Sequence, residues 1–244
     1  MRRETANFKI GVQIMDDRMG DVLDALEKNG LADNTLVICT TDQGPGFPEA
    51  KCTLTDRGTG VMMILRGPEG SGFEGGKVCD SMVMHLDLYP TICDMLDIER
   101  PEWLQGESLL PLVRDETGEI RELVFTEQSY HGEYRPLRAA RSRRYKYVRS
   151  FGGNAVWGID RGPAQEFLEE HGYGSGPHPE EELFDLYFDP NEVNNLADRG
   201  THEEILAEMR AHLEEWMRRT GDPLLRDEIP PPPAWEKSGP KADG

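Results

Sequence analysis

No stretch of this sequence approaches the roughly 20 apolar residues that a membrane-spanning helix needs. Its opening residues, MRRETANFKI, lack the apolar core of a secretory leader, so none is expected. Cysteine is scarce: Cys39, Cys52, Cys79 and Cys93 are the four, and no CxxC pair occurs. Cys39 lies inside an apolar run. The four are expected to be reduced, mostly packed thiols of a cytoplasmic protein. Positive charge is also in short supply, with 27 lysines and arginines against 46 acids, a formal charge of −19. That disfavours nucleic acid or an anionic membrane as the main partner. It leaves room for an anionic substrate, because a local pocket can be positive on an acidic protein. No internal repeat is visible. The 244 residues, 37% of them hydrophobic, allow one large domain or two modest ones.

What is present is organised around Thr35 to Lys51, TLVICTTDQGPGFPEAK. Leu36 to Thr40 is apolar and rich in β-branched and small side chains, the pattern of a parallel strand buried on both faces. Gly44, Pro45 and Gly46 then force a loop. In open α/β sheets, ligand sites gather beyond the carboxyl ends of strands. Asp42 and Gln43 occupy such a position, with Lys51 a short loop away. A polar turn in which Asp42 bonds its own backbone accounts for the same residues without a site.

Before this stretch, Phe8, Val12, Met15, Met19, Val22, Leu23 and Leu26 recur at intervals of three and four, predicting a long amphipathic helix ended near Gly30. Asp16, Asp17, Arg18, Asp21 and Asp24 fall largely off that stripe and read as a solvated face. After it, Gly60 to Arg66 predicts a second strand, closed by Gly67-Pro68. A helix through Leu96 would be capped by Asp87 or Thr91. The connector 101–111 is the expected boundary between two units.

Beyond it the syntax changes to short strands: Glu122 to Glu127, a hairpin within Leu137 to Ser150, and Glu182 to Tyr187. The hairpin holds six arginines and lysines in 14 residues. Such a ribbon can suggest RNA contact, but the overall acidity favours charge compensation. Phe151 to Pro179 reads as irregular. Thr201 and Glu204 form a capping box that opens a helix with Ile205, Met209, Leu213 and Trp216 on its apolar face. Four consecutive prolines introduce an extended or disordered tail.

Four passages stand out: DVLDALEKNGLADNTLVICTTDQG, FPEAKCTLTD, HLDLYPTICDML and ELFDLYFDPNEVNNLA. They resemble the carboxyl-terminal half of a sulfatase, within the alkaline-phosphatase-like superfamily. The similarity is greatest to the heparan N-sulfatase (sulfamidase) branch. Each alone is weak, but four in the family's order make a strong signal. The resemblance implies an α/β fold: a partial alkaline-phosphatase-like sheet with helices over 1–111, then a small α+β domain with an antiparallel sheet over 112–225. The tail would be 226–244.

The resemblance also implies a chemistry, hydrolysis of a sulfate ester or sulfamate. Such a group carries spread negative charge, which a divalent cation and a lysine or arginine neutralise. The family binds one calcium through oxygen ligands. Its downstream metal pair falls on Asp42 and Gln43. Its sulfate-contacting basic residue falls on Lys51, which implies a catalytic and substrate-binding role for that lysine. His131, in QSYHGE, aligns with a polar segment near the substrate entrance; a structural role accounts for it equally simply. Arg57 could reach an anionic group, or join a surface ion pair. The family's nucleophile is a formylglycine made in a Cys/Ser-x-Pro-x-Arg motif, and no cysteine or serine of the chain fits it. The family's first aspartate pair has no counterpart either. Glutamine at 43 replaces the family's usual asparagine or histidine. The chain alone is therefore expected to be inactive and to need a separate amino-terminal half. Its expected partners are that half and a sulfated small molecule or glycan. A phosphonate or phosphodiester hydrolase of the same superfamily and a non-catalytic binding module remain alternatives.

Overall fold

A computed structural model describes residues 2–131, 133–152, 162–172 and 179–226. The chain divides into two compact units. One comprises Met1–Gly44, Gly60–Val124 and Asp160–His171; the other comprises Pro45–Thr59, Phe125–Ile159 and Gly172–Gly244.

The first unit opens on helix α1, Arg2–Lys28, which has the predicted 3.6-residue periodicity and no buried residue. Phe8, Val12, Met15 and Val22 of its apolar stripe stand exposed. Gly30, at φ 65°, takes the left-handed conformation that ends helices most easily with glycine. Strand β1, Val37–Thr40, follows. The expectation of a parallel strand buried on both faces is corrected by its pairing. The partner of β1 is strand β2, Met63–Arg66, in an antiparallel two-stranded sheet that pairs Val37 with Arg66 and Thr40 with Met63. Its burial is intermediate rather than complete. The physical reason lies in the connection. A parallel crossover runs through a substantial helix, whereas the only helix between these strands is the four-residue α2, Asp56–Thr59.

Phe73, Leu109, Leu110 and Leu112 form the buried cluster of this unit, with Leu36, Met63, Leu65 and Val83 packed against it. Helix α3, Leu88–Met95, is preceded by a 3-10 turn, His85–Asp87. Two residues of the cluster come from the short helix α4, Leu110–Val113. Asp87 stands at the position expected to cap α3, but its side chain does not do so. It is fully buried and accepts from the Met84 and Glu107 amides at 2.6 and 2.9 Å and from the Arg121 guanidinium at 2.6 and 2.5 Å. A Cβ on Gly106 would lie 2.0 Å from the Leu86 carbonyl oxygen, so only glycine lets the chain pass this hub.

The second unit is built on a four-stranded sheet in sequential order: β3, Val124–His131; β4, Glu133–Arg141; β5, Tyr145–Ser150; and β6, Glu181–Asp185. The β4–β5 and β5–β6 pairs are antiparallel, with Ala139 opposite Val148 and Tyr147 opposite Leu183. The stretch 151–179, expected to be irregular, contains α5, Pro163–Glu170, which belongs to the first unit. Most of the rest of that stretch, and 227–244 of the tail, lie outside the described residues.

Helix α6, Glu203–Thr220, packs across β4 and β5 through Leu206, Met209, Leu213 and Met217. Trp216 stacks on Phe125 at a centroid distance of 5.2 Å. The capping box is a second correction. Residues Gly200–His202 form a 3-10 turn, α6 begins at Glu203, and the Thr201 hydroxyl turns to His202 Nδ1 at 3.0 Å. The basic hairpin is neutralised from within its own unit. Arg138 pairs with Asp222, Arg141 with Asp56, Arg144 with Asp185, Lys146 with Asp56 and Glu192, and Arg149 with Glu214.

Candidate functional site

Asp42 directly follows Thr41, the residue after β1, and Gly44 behind it is buried. The end of this strand is held by side chains as well as backbone. The Thr41 amide donates to the Met62 carbonyl at 3.4 Å, and the Met62 amide donates to Thr41 Oγ1 at 3.2 Å. Thr40 Oγ1 donates to the same Met62 carbonyl at 2.7 Å and lies 2.8 Å from His85 Nε2. The Asp42 carboxylate is exposed, and no hydrogen bond or ion pair among the described residues engages it. Gln43 is half-buried.

Lys51 belongs to the second unit, on the segment Pro45–Thr59. Three devices hold this segment. Leu54 enters the sheet core with Leu137, Ala139 and Val148. Its own turns close through Thr53 Oγ1 to the Ala50 carbonyl at 2.8 Å and Thr55 Oγ1 to the Glu49 carbonyl at 3.0 Å. A Cβ on Gly58 would meet the Ala50 and Thr53 carbonyl oxygens at 2.4 and 2.5 Å. Lys51 is flanked by two non-glycine residues in the left-handed region, Glu49 at φ 59° and Cys52 at φ 65°. Such conformations cost roughly 1–3 kcal/mol each and gather at functional sites.

The third device is ionic. Asp56 accepts from Arg141 Nε and Nη2 at 2.9 and 2.8 Å and pairs with Lys146 Nζ at 2.5 Å. Glu192 accepts from the Asp56 amide at 2.5 Å and from Lys146 at 3.1 Å. The surface ion pair expected around Asp56 and Arg57 is thus replaced: Asp56 binds the sheet's basic residues, one of them fully buried, while Arg57 is exposed. Burial alone would push the Asp56 carboxyl up. The Arg141 hydrogen bonds and the Lys146 charge outweigh it and hold the carboxyl at about 2. Burial raises Glu192, against the pull of Lys146.

These opposite directions set a pH prediction. The folded-state value for Asp56 lies below its ordinary 3.8, so its stabilising share is complete above that value and is lost as pH falls toward 2. The stability gap between the wild type and Asp56→Asn should therefore shrink from about pH 4 to about pH 2. Urea midpoints followed by circular dichroism at several pH values check this. A gap that stays constant over that window rejects the assignment.

Of the residues singled out in the sequence, Asp42 and Gln43 stand together on the first unit and Lys51 stands on the second. His131 is the last residue of β3, and its side chain lies outside what is described. Sequence reasoning missed the contact between His85 and Thr40, because residues 45 positions apart leave no local signal of meeting. Among the described residues, no group of three or more histidines, cysteines or acids is gathered to hold a metal ion. Asp42 and Gln43 supply a carboxylate and an amide oxygen, donors of the hard type calcium takes. They fall well short of its roughly six to eight ligands, so they fit a part of such a site.

Comparison with known proteins places the chain. Residues 3–98 match the family described as Sulfatase, and residues 51–161 match the one described as N-sulphoglucosamine sulphohydrolase, C-terminal. The chain is 30% identical to N-sulphoglucosamine sulphohydrolase of Homo sapiens, over 86% of its own length and 47% of that protein. It is 29% identical to an ulvan-active sulfatase of Formosa agariphila, over 85% of its own length and 37% of that protein. Among solved structures, a 2-O GAG sulfatase superposes with a TM-score of 0.69 at 28% identity, covering 90% of this chain and 44% of the other. The fold is thus of the alkaline-phosphatase-like α/β class, continued by a small α+β unit with an antiparallel sheet. Within that class, the chain belongs to the sulfatase family. It spans less than half the length of these relatives.

Proposed function

We propose that this chain forms the carboxyl-terminal part of an enzyme that hydrolyses sulfate esters or sulfamates on sugars. In that enzyme Asp42 and Gln43 supply part of a calcium site, and Lys51 holds the anionic group being cleaved. The observation that carries the reading is Lys51 itself. A lysine is set between two left-handed residues on a segment fixed by a buried leucine and an ion network. Such rigidity suits a residue that must bind a fixed anion. Calcium, when bound, neutralises the oxygens of the sulfate or sulfamate. Lys51 adds a second positive charge at the substrate. The β1 end keeps the Asp42 carboxylate on an ordered backbone.

A nucleophile must come from a region carrying the family's Cys/Ser-x-Pro-x-Arg motif, which this sequence does not contain. Names of relatives such as N-sulphoglucosamine sulphohydrolase and ulvan-active sulfatase point to a sulfated sugar as substrate. The test measures sulfate release from sulfated monosaccharides and ulvan fragments, by the chain alone and with a formylglycine-bearing amino-terminal region. Calcium-dependent release is expected only from the combination. Hydrolysis of a phosphonate monoester to phosphonate and alcohol, or of a phosphodiester to phosphomonoester and alcohol, with no release of sulfate, overturns the reading.

A further inference from the structure

We infer that His85 is a positioning residue for the Asp42–Gln43 pair, acting through Thr40; its link to metal binding rests on the reading just given. The geometry fixes the direction of each hydrogen bond. The one hydroxyl hydrogen of Thr40 has two carbonyl acceptors in reach, Met62 at 2.7 Å and Thr41 at 3.3 Å, and the shorter contact takes it; either leaves none for His85. Thr40 Oγ1 must then accept from His85, so Nε2 carries the hydrogen in the 2.8 Å contact. His85 thus joins β1 to an element 45 residues away.

That element is itself rigid. His85 opens the 3-10 turn whose last residue is the fully buried Asp87, bound by Arg121 and two backbone amides. The side-chain bonds of Thr40 and Thr41 to Met62 continue the β1–β2 ladder beyond its last paired residues, Thr40 and Met63. A strand at the edge of a two-stranded sheet frays at its end unless something holds it. In this sheet the last held residue precedes Asp42 by one position. His85 therefore keeps the backbone that aims the Asp42 carboxylate and the Gln43 amide in one place. Metal sites lose affinity when the groups that orient their ligands are removed, typically by about 10–100-fold.

The experiment uses the full chain with calcium alone as probe, and two readouts. Hydrogen exchange of the Thr41 and Met62 amides, which donate to the Met62 carbonyl and to Thr41 Oγ1, reports the order of the strand end. Calcium titration, followed by the same amide signals, reports the ligands. His85→Ala should speed exchange at these amides about tenfold and raise the calcium half-saturation point by a similar factor. His85→Gln should restore both, because its side-chain amide can donate to Thr40 Oγ1 as the imidazole does. Nitrogen shifts of His85 should show the Nε2-protonated tautomer. Unchanged exchange at these amides in His85→Ala overturns the inference, whatever calcium does. Exchange that quickens in His85→Ala while Asp42→Ala leaves the calcium response intact supports the clamp and removes the metal reading. Failure of His85→Gln to restore exchange also overturns it, since a merely space-filling role would then explain the loss.

Discussion

Replacing Asp87 by alanine is expected to cost the first unit a large share of its stability. The carboxylate is fully buried and takes four hydrogen bonds, from the amides of Met84 and Glu107 and from both terminal nitrogens of Arg121. Its backbone carbonyl accepts from Thr91 Oγ1 at 2.5 Å, and that hydroxyl in turn accepts from the Leu109 amide at 2.8 Å. One residue thus ties the turn before α3 to α3 itself and to the segments at Glu107 and Arg121. Alanine would strand a guanidinium that is only 12% exposed and two inward-facing amides. Breaking a buried pair from one side costs about 3–5 kcal/mol, set against total stabilities of roughly 5–15 kcal/mol. Removing both partners would cost less than removing one, because the charge left unpaired carries much of the penalty. Asp87→Ala should therefore be worse than Asp87→Ala combined with Arg121→Met. Urea midpoints by circular dichroism check the order. A single-variant loss under about 0.5 kcal/mol, the size of an ordinary surface change, rejects the hub role.

Asp87 also shows where sequence reading stops. Its place before a helix predicts a cap, a local role. Its partner, Arg121, lies 34 residues on, and nothing local marks the pair. The same holds for Pro45–Thr59. Glycine and proline mark it as a loop, but its packing with the second unit rests on Leu54 and Asp56 meeting β4 and β5, long-range contacts that no periodicity carries. The partner of β1 was hidden for a related reason. A run such as LVICT reads as a buried strand in either direction of pairing, and direction depends on the connection. Legible features were those with local causes, the stripe of α6 and the end of β1 before Asp42-Gln43-Gly44; that the basic hairpin would be neutralised was legible from composition, though its partners were not. The four family passages are runs of adjacent residues, which is why the family could be read before the strand pairing was.

For the assembled enzyme, Asp42→Ala is expected to abolish turnover without unfolding the chain. The side chain is exposed and bonds to nothing among the described residues, so its removal leaves no buried group unpaired. A surface substitution of that kind changes stability by about 0.5 kcal/mol or less. As a calcium ligand, however, it supplies full negative charge to a hard cation. Losing a group that only orients a ligand costs roughly 10–100-fold in metal affinity or activity, and losing the ligand itself should cost more. Gln43→Asn is the finer probe. Glutamine places its carbonyl oxygen one methylene farther from the backbone than asparagine does. If that length strains coordination, Asn should tighten calcium binding while Gln43→Ala weakens it. Lys51→Ala should leave calcium binding in place and weaken substrate binding and turnover, because its charge serves the substrate anion. The measurements are calcium titration, steady-state sulfate release and a thermal melt on each variant of the combined enzyme. An active combination whose calcium affinity and turnover survive Asp42→Ala rejects the assignment. A variant that loses turnover together with its melting transition would instead give Asp42 a structural role, contrary to the exposure of its carboxylate.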